Sequence, residues 1–180
     1  THYLAQHIEE YIASSPWKEK VQISHEYKLL GTGGTMLSAE DFIGKKTVMV
    51  VHADNLSRFS LKDFIKSHSD RPKHCAITMM IFRTDKPKNC GILKVDNSGV
   101  AVELYEKVGN PPGNLANGAV YIFEPEVLDF LKSLKKNEID LSTDVLPHFL
   151  GRINTFLNAD YHRDIGTYDS LKIARNDFNP

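Results

Sequence analysis

The chain has 180 residues, enough to bury one substantial core, and a single domain over 1–180 is the expectation. With 41% hydrophobic and 25% charged residues and a net charge of -1, neither sign has the excess that drives nucleic-acid binding or keeps a tail disordered, so small soluble ligands are the expected partners. Two cysteines without CxxC spacing, Cys75 and Cys90, exclude a disulfide framework and a thiolate metal centre and fit a reducing cytoplasm, while no apolar run is long enough for a membrane and no secretory signal pattern opens the sequence.

In chain order, HYLAQHIEEYI places Leu4, Ile8, Tyr11 and Ile12 on one helical face. VQIS at 21–24 reads as a short strand. The stretch KLLGTGGTML then clusters Gly31, Gly33 and Gly34, which needs a reason, because glycine loses more chain entropy on folding than any other residue. Two reasons compete: a tight turn into a helix through Met36, Leu37 and Phe42, or a surface where backbone N–H groups approach a flat or anionic ligand. The run from Thr47 to Val51 reads as a strand buried on both faces, as in a parallel sheet. SLKDFIKSH follows as an amphipathic helix opened by Ser60 and Asp63, and CAITMMIFR as an apolar strand. This alternation predicts an α/β fold.

The second half changes style. GILKVD, a turn at Asn97-Ser98-Gly99 and VAVELYEK form a hairpin pattern. NGAVYIF reads as a strand, Pro125 opens the helix EVLDFLKSL, and Ser142 or Thr143 caps a further helix ending before Gly151. RINTFLN is a late strand and Thr167 starts a closing helix.

Ligands of open α/β sheets gather beyond the carboxyl ends of the parallel strands. Asp54 follows such a strand, and Asp164 stands at a similar strand end before Gly166. Either aspartate alone fits a helix cap or turn equally well. Together they are what Mg²⁺ needs, since this hard ion takes a few oxygen ligands and completes its shell with water and phosphates. Glu106 and Lys107 are either a solvated strand tip or the wall of a phosphate pocket. Neighbours on a regular strand face opposite ways, so both can line one pocket only if the strand ends or bulges there. Asn114 and Asn117 either read hydroxyl groups or stabilise turns. The eight histidines lack metal-ligand spacing.

The order LGTGGT, HADN, Cys-Gly before a strand, EK-x-x-NPP-x-NLANGAVYIF, STDVLP and RDIGT resembles the sugar-1-phosphate nucleotidyltransferases, also called sugar-nucleotide pyrophosphorylases, over nearly the whole chain. Enzymes that load mannose, glucose or heptose 1-phosphates are closest in flavour. The resemblance implies a three-layer α/β/α sandwich, Rossmann-like, with a mixed, mainly parallel sheet. It implies transfer of a nucleotidyl group from a nucleoside triphosphate to a sugar 1-phosphate, with pyrophosphate released. By the same resemblance, Gly31, Thr32, Gly33 and Gly34 would bind the nucleotide, and Asp54 and Asp164 would hold the catalytic Mg²⁺. Gly91, Glu106 and Asn117 would meet the sugar, and Lys107 would neutralise its phosphate.

Two departures from the family pattern stand out. The GGxGTRL loop that grips the triphosphate is absent, and the chain opens like the family just after its second strand. The first strand–loop–helix unit is therefore expected to be missing. That leaves the exposed edge of a strand for another copy of the chain to cover, and either a weak enzyme, an inactive sugar-phosphate-binding or regulatory homologue, or a fragment completed by another chain. His162 stands where the family often carries Trp, which bears on the packing around the sugar.

Overall fold

The computed structural model describes residues 1–178. A six-stranded mixed sheet in the order β1-β6-β3-β7-β5-β4 forms its centre. The strands are β1 (Val48–Val51), β3 (Ile77–Arg83), β4 (Gly91–Val95), β5 (Val100–Glu106), β6 (Leu115–Phe123) and β7 (Ile153–Asn158). Helices cover both faces. On one, α2 (Gly31–Ser38) and α5 (Pro125–Ser133) pack Met36, Val127, Leu128 and Leu131 against Ile77, Met79, Tyr121 and Phe123. On the other, α4 (Leu61–Ser69) buries Phe64 against Met80, Val120 and Ile122. This is the expected three-layer sandwich.

Sheet direction follows from the pairings. β1 and β3 are both antiparallel to β6, and β3 is parallel to β7, so β1, β3 and β7 run the same way. Direct parallel pairing is confined to β3 and β7, a smaller share than a mainly parallel sheet would have, because β6 inserts between β1 and β3. The run at 47–51 is not buried on both faces. Val48–Val51 has β6 on one side only, and its residues alternate between half-buried and exposed, with Val51 52% exposed. VQIS forms no strand, since no neighbouring strand offers it a ladder among the described residues.

Local signals mostly hold. The first helix, α1 (Ala5–Ser14), forms but buries none of its residues. Ser60 Oγ accepts the Asp63 N–H at 3.2 Å, Pro125 opens α5, and Thr167 caps α6 (Tyr168–Asp177). The helix expected after Ser142 or Thr143 forms as a π-helical turn over Leu141–Val145 and a 3-10 turn over Leu146–Phe149, but its cap is Asp140, whose carboxylate accepts the N–H groups of both Ser142 and Thr143. The helix after the glycines splits at Ala39 into α2 and a short α3 (Glu40–Ile43). Cys75 and Cys90 lie just before β3 and β4. Among the described residues no helix is long and apolar enough to cross a membrane.

Outside the main sheet, β2 (Asn55–Arg58) pairs antiparallel with β8 (Tyr161–Asp164). Neither segment carries an apolar alternation that marks it as a strand. This ribbon decides where the two aspartates lie.

Candidate active site

Asn55 is the register partner of Asp164, and the Ile165 N–H donates to the Asp54 carbonyl at 2.7 Å. The ribbon thus delivers two aspartates 110 positions apart in sequence to one end. Gly166 measures how closely they converge: a Cβ added there would lie 3.0 Å from Asp164 Oδ1 and 3.8 Å from Asp54 Oδ2. The two oxygens are no farther apart than the sum of those distances. Asp164 Oδ1 accepts the Gly166 N–H at 2.7 Å, which fixes its carboxylate. Two converging all-oxygen donors fit a hard divalent cation that draws its remaining ligands from water and phosphate. They do not fit a fully protein-ligated metal: no cluster of three or more His, Cys, Asp or Glu occurs among the described residues.

β5 ends at Glu106, and Lys107 takes a left-handed backbone (φ 49°) while its N–H donates to the Cys90 carbonyl at 3.3 Å. The turn brings the neighbours to one side, with Lys107 Nζ 3.8 Å from Glu106 Oε1. The end of the strand is what allows this approach of two sequence neighbours. Gly91 pairs with Glu106, and a Cβ on Gly91 would fall 2.5 Å from Glu106 Oε2. The carboxylate occupies the space a side chain would have taken. Across the sheet Ile92 pairs with Ala116, so Asn117 lies beside Gly91 on the far side from Glu106. Cys90 adjoins this cluster. Its thiol, pushed up first by burial, also feels the charges of Glu106, Asp164 and Lys107.

His162 supplies aromatic packing. Its ring lies 4.1 Å from the Phe82 ring, and its Nδ1 is 2.8 Å from Ser57 Oγ. Burial lowers its pKa to about 4, with Asp164 opposing, so the ring is neutral near pH 7. Asn114, by contrast, is used structurally, accepting from Arg83 Nη1 at 3.1 Å.

The glycine cluster forms the first turn of α2, packed on the chain at Ile139. Gly31 has φ 73°, and a Cβ there would meet the Ile139 carbonyl oxygen at 2.5 Å. The N–H groups of Gly33 and Gly34 both donate to that carbonyl, at 2.8 and 3.2 Å. Close packing therefore accounts for these residues in the free protein. Thr32 Oγ1 accepts the Leu141 N–H at 2.8 Å, tying α2 to the turn capped by Asp140. On the open side, Thr32, Thr35 and Met36 face Val50, Val51 and His52 across an apolar groove of about 320 Å³. Sequence reading did not single out Gly166, or Tyr121, whose hydroxyl accepts from Asn117 Nδ2 at 2.8 Å. Only the placement of Gly166 two residues after Asp164 offered a hint.

The chain is similar to several known proteins. The mannose-1-phosphate guanylyltransferase of Mycobacterium tuberculosis is 29% identical over 142 residues, 77% of this chain and 38% of that protein. The bifunctional protein GlmU of Methanocaldococcus jannaschii is 24% identical over 169 residues, 91% of this chain and 38% of that protein. The chain thus spans well under half the length of these curated relatives. HddC from Yersinia pseudotuberculosis superimposes with a TM-score of 0.81 over 99% of this chain and 76% of its own, at 24% identity. HddC complexed with GMP-PN gives 0.80. At that identity the likeness establishes the fold. The nucleotidyl transferase family pattern matches residues 1–179, and the chain belongs to that family.

Proposed function

We propose that the chain carries the acceptor half of a sugar-1-phosphate nucleotidyltransferase. A phosphate oxygen of the sugar 1-phosphate attacks the α-phosphorus of a nucleoside triphosphate, forming a new P–O bond as the bond to the β-phosphate bridge breaks and pyrophosphate leaves. The convergence of Asp54 and Asp164 at Gly166 carries the reading, and the gathering of Gly91, Glu106 and Lys107 at the end of β5 supports it. Asp54 and Asp164 would hold Mg²⁺, which when bound supplies charge neutralisation at the reacting phosphates. Lys107 places a compact positive charge for the sugar phosphate. Glu106 accepts hydrogen bonds from sugar hydroxyls, Gly91 offers its N–H, and Asn117 donates from its amide. The start of α2, with Gly31, Thr32, Gly33 and Gly34, lines the side that takes the nucleotide. Two polyanions repel, so alignment and charge compensation are the protein's main contribution, and no covalent nucleophile is required.

A second reading, a sugar-phosphate-binding module without turnover, draws on one observation: the Gly33 and Gly34 N–H groups are engaged by Ile139. Pyrophosphate release separates the two. The assay combines the protein with Mg²⁺, each nucleoside triphosphate and a panel of hexose and heptose 1-phosphates. Release that Asp54→Asn abolishes supports the enzyme, and silence with every pair overturns it. The free outer edge of β1 takes a second copy of the chain in this proposal, two β1 edges pairing about a two-fold axis. The free thiols fit a reducing, cytoplasmic setting.

A further inference from the structure

Asn117 and Tyr121 are four residues apart in β6, and on a regular strand they would stand roughly 13 Å from one another. They touch because β6 bulges. Met79 pairs with Tyr121 and Ile81 with Asn117, so Met80 alone opposes three residues of β6. At the centre of the bulge Ala119 adopts a left-handed backbone (φ 51°). Gly118 lies over Met80, where a Cβ would come 3.0 Å from the Met80 carbonyl oxygen. Such strain persists only where its surroundings enforce it, and it gathers at functional sites.

The bulge fixes the Asn117 side chain at both ends. Its Oδ1 accepts the Ala119 N–H at 2.9 Å, which settles which end of the amide is oxygen. Its Nδ2 therefore points to Tyr121 and donates to the hydroxyl at 2.8 Å. One Nδ2 hydrogen remains, on a residue that the strand register sets next to Gly91. Tyr121 is a firm post for this contact. It is 1% exposed, its ring stacks on Phe123 at 5.2 Å, and the His52 ring meets it edge-on.

We infer that Tyr121 is a positioning residue for acceptor recognition, holding the Asn117 amide so that a single N–H points at an oxygen of the sugar 1-phosphate. The inference rests on the functional reading above and adds to it a residue that does not itself touch substrate. A free amide would rotate and present either its oxygen or its nitrogen, with no preference between acceptor and donor groups on the ligand.

Calorimetric titration of the chain with α-D-mannose 1-phosphate and α-D-glucose 1-phosphate tests it, with GTP as the control ligand. Tyr121→Phe keeps the ring and removes the hydroxyl. It is expected to weaken sugar-phosphate binding about tenfold while leaving the Kd for GTP unchanged. Asn117→Ala should show a similar loss, and the double variant no further loss, because the two residues act as a unit. A wild-type protein that binds neither sugar phosphate overturns the functional reading and this inference with it. Wild-type binding with an unchanged Tyr121→Phe Kd, or additive losses in the double variant, overturns the positioning role alone. A readout independent of any variant is hydrogen exchange at the Asn117 amide by NMR. One slow and one fast proton are expected, and two equally fast protons refute the inference.

Discussion

At the scale of single residues, the clearest conflict between side chain and backbone is at Ala119. A left-handed alanine costs roughly 1–2 kcal/mol, and glycine relieves most of this at the expense of a more flexible unfolded chain. Ala119→Gly is expected to raise stability by about 0.5–1 kcal/mol, seen as a higher urea midpoint. His68 is the other exposed consequence of residue chemistry. Its Nδ1 lies 2.8 Å from Thr78 Oγ1 and its Nε2 2.9 Å from Glu124 Oε1, with Arg71 donating to the same carboxylate oxygen at 2.6 Å. Burial lowers the His68 pKa, with Glu124 opposing. Glu124 is also held low: its own burial acts upward, but the bonds from His68, Arg71 and Thr47 prevail. Both shifts have the same sign for stability, since the unfolded chain binds the proton more readily in each case. Stability is therefore complete above the unfolded histidine pKa near 6.5 and falls on acidification, first through His68 and His162, then through Glu124 below about 4.5. Urea midpoints measured from pH 7.5 to 5 should slope in the wild type, and His68→Gln should flatten part of that slope.

Among the elements, α2 depends most on one contact. Gly31→Ala would place a methyl group against the Ile139 carbonyl oxygen in a left-handed backbone, and backbone atoms cannot move aside as a flexible side chain can. A loss of about 2–3 kcal/mol is expected, read as a drop in thermal midpoint. This packing was present in the sequence only as a cluster of glycines, which taken alone favours a turn over a ligand surface. The partner residue, Ile139, is more than a hundred positions away and carries no local mark. Elements with strong local chemistry were legible: the Ser60 cap, Pro125 at the start of α5, and the hairpin turn at Gly99. The β2–β8 ribbon was not, because its strands are four residues long and stabilised by each other, without an apolar alternation of their own. The capping role fell to Asp140, and Ser142 and Thr143 serve as its donors. The candidate site was readable in its carboxylates, its lysine and Asn117. What held them together was hidden in register and bulges, which are properties of paired strands.

For the whole molecule, the order β1-β6-β3-β7-β5-β4 leaves β1 at an edge, with Met49 43% and Val51 52% exposed. Unpaired, apolar edges pair readily with other strands, and a charge on the edge suppresses this. Sedimentation velocity is expected to show concentration-dependent association that Val51→Lys abolishes. A monomer at every concentration would overturn the proposed self-pairing. Lys107→Ala leaves the fold untouched, since the side chain is 68% exposed. Its expected effect is at least tenfold weaker sugar-phosphate binding with an unchanged thermal midpoint.

The ribbon that carries Asp54 and Asp164 lies outside the main sheet and meets it through the tilted packing of His162 on Phe82 and the bond from Asn158 Nδ2 to the Tyr161 carbonyl. Its opening is thus energetically separable from melting of the sheet. The gap between the two acidic groups is therefore expected to respond to substitution of Ser57, which meets His162 across the ribbon, before the core of the sheet does.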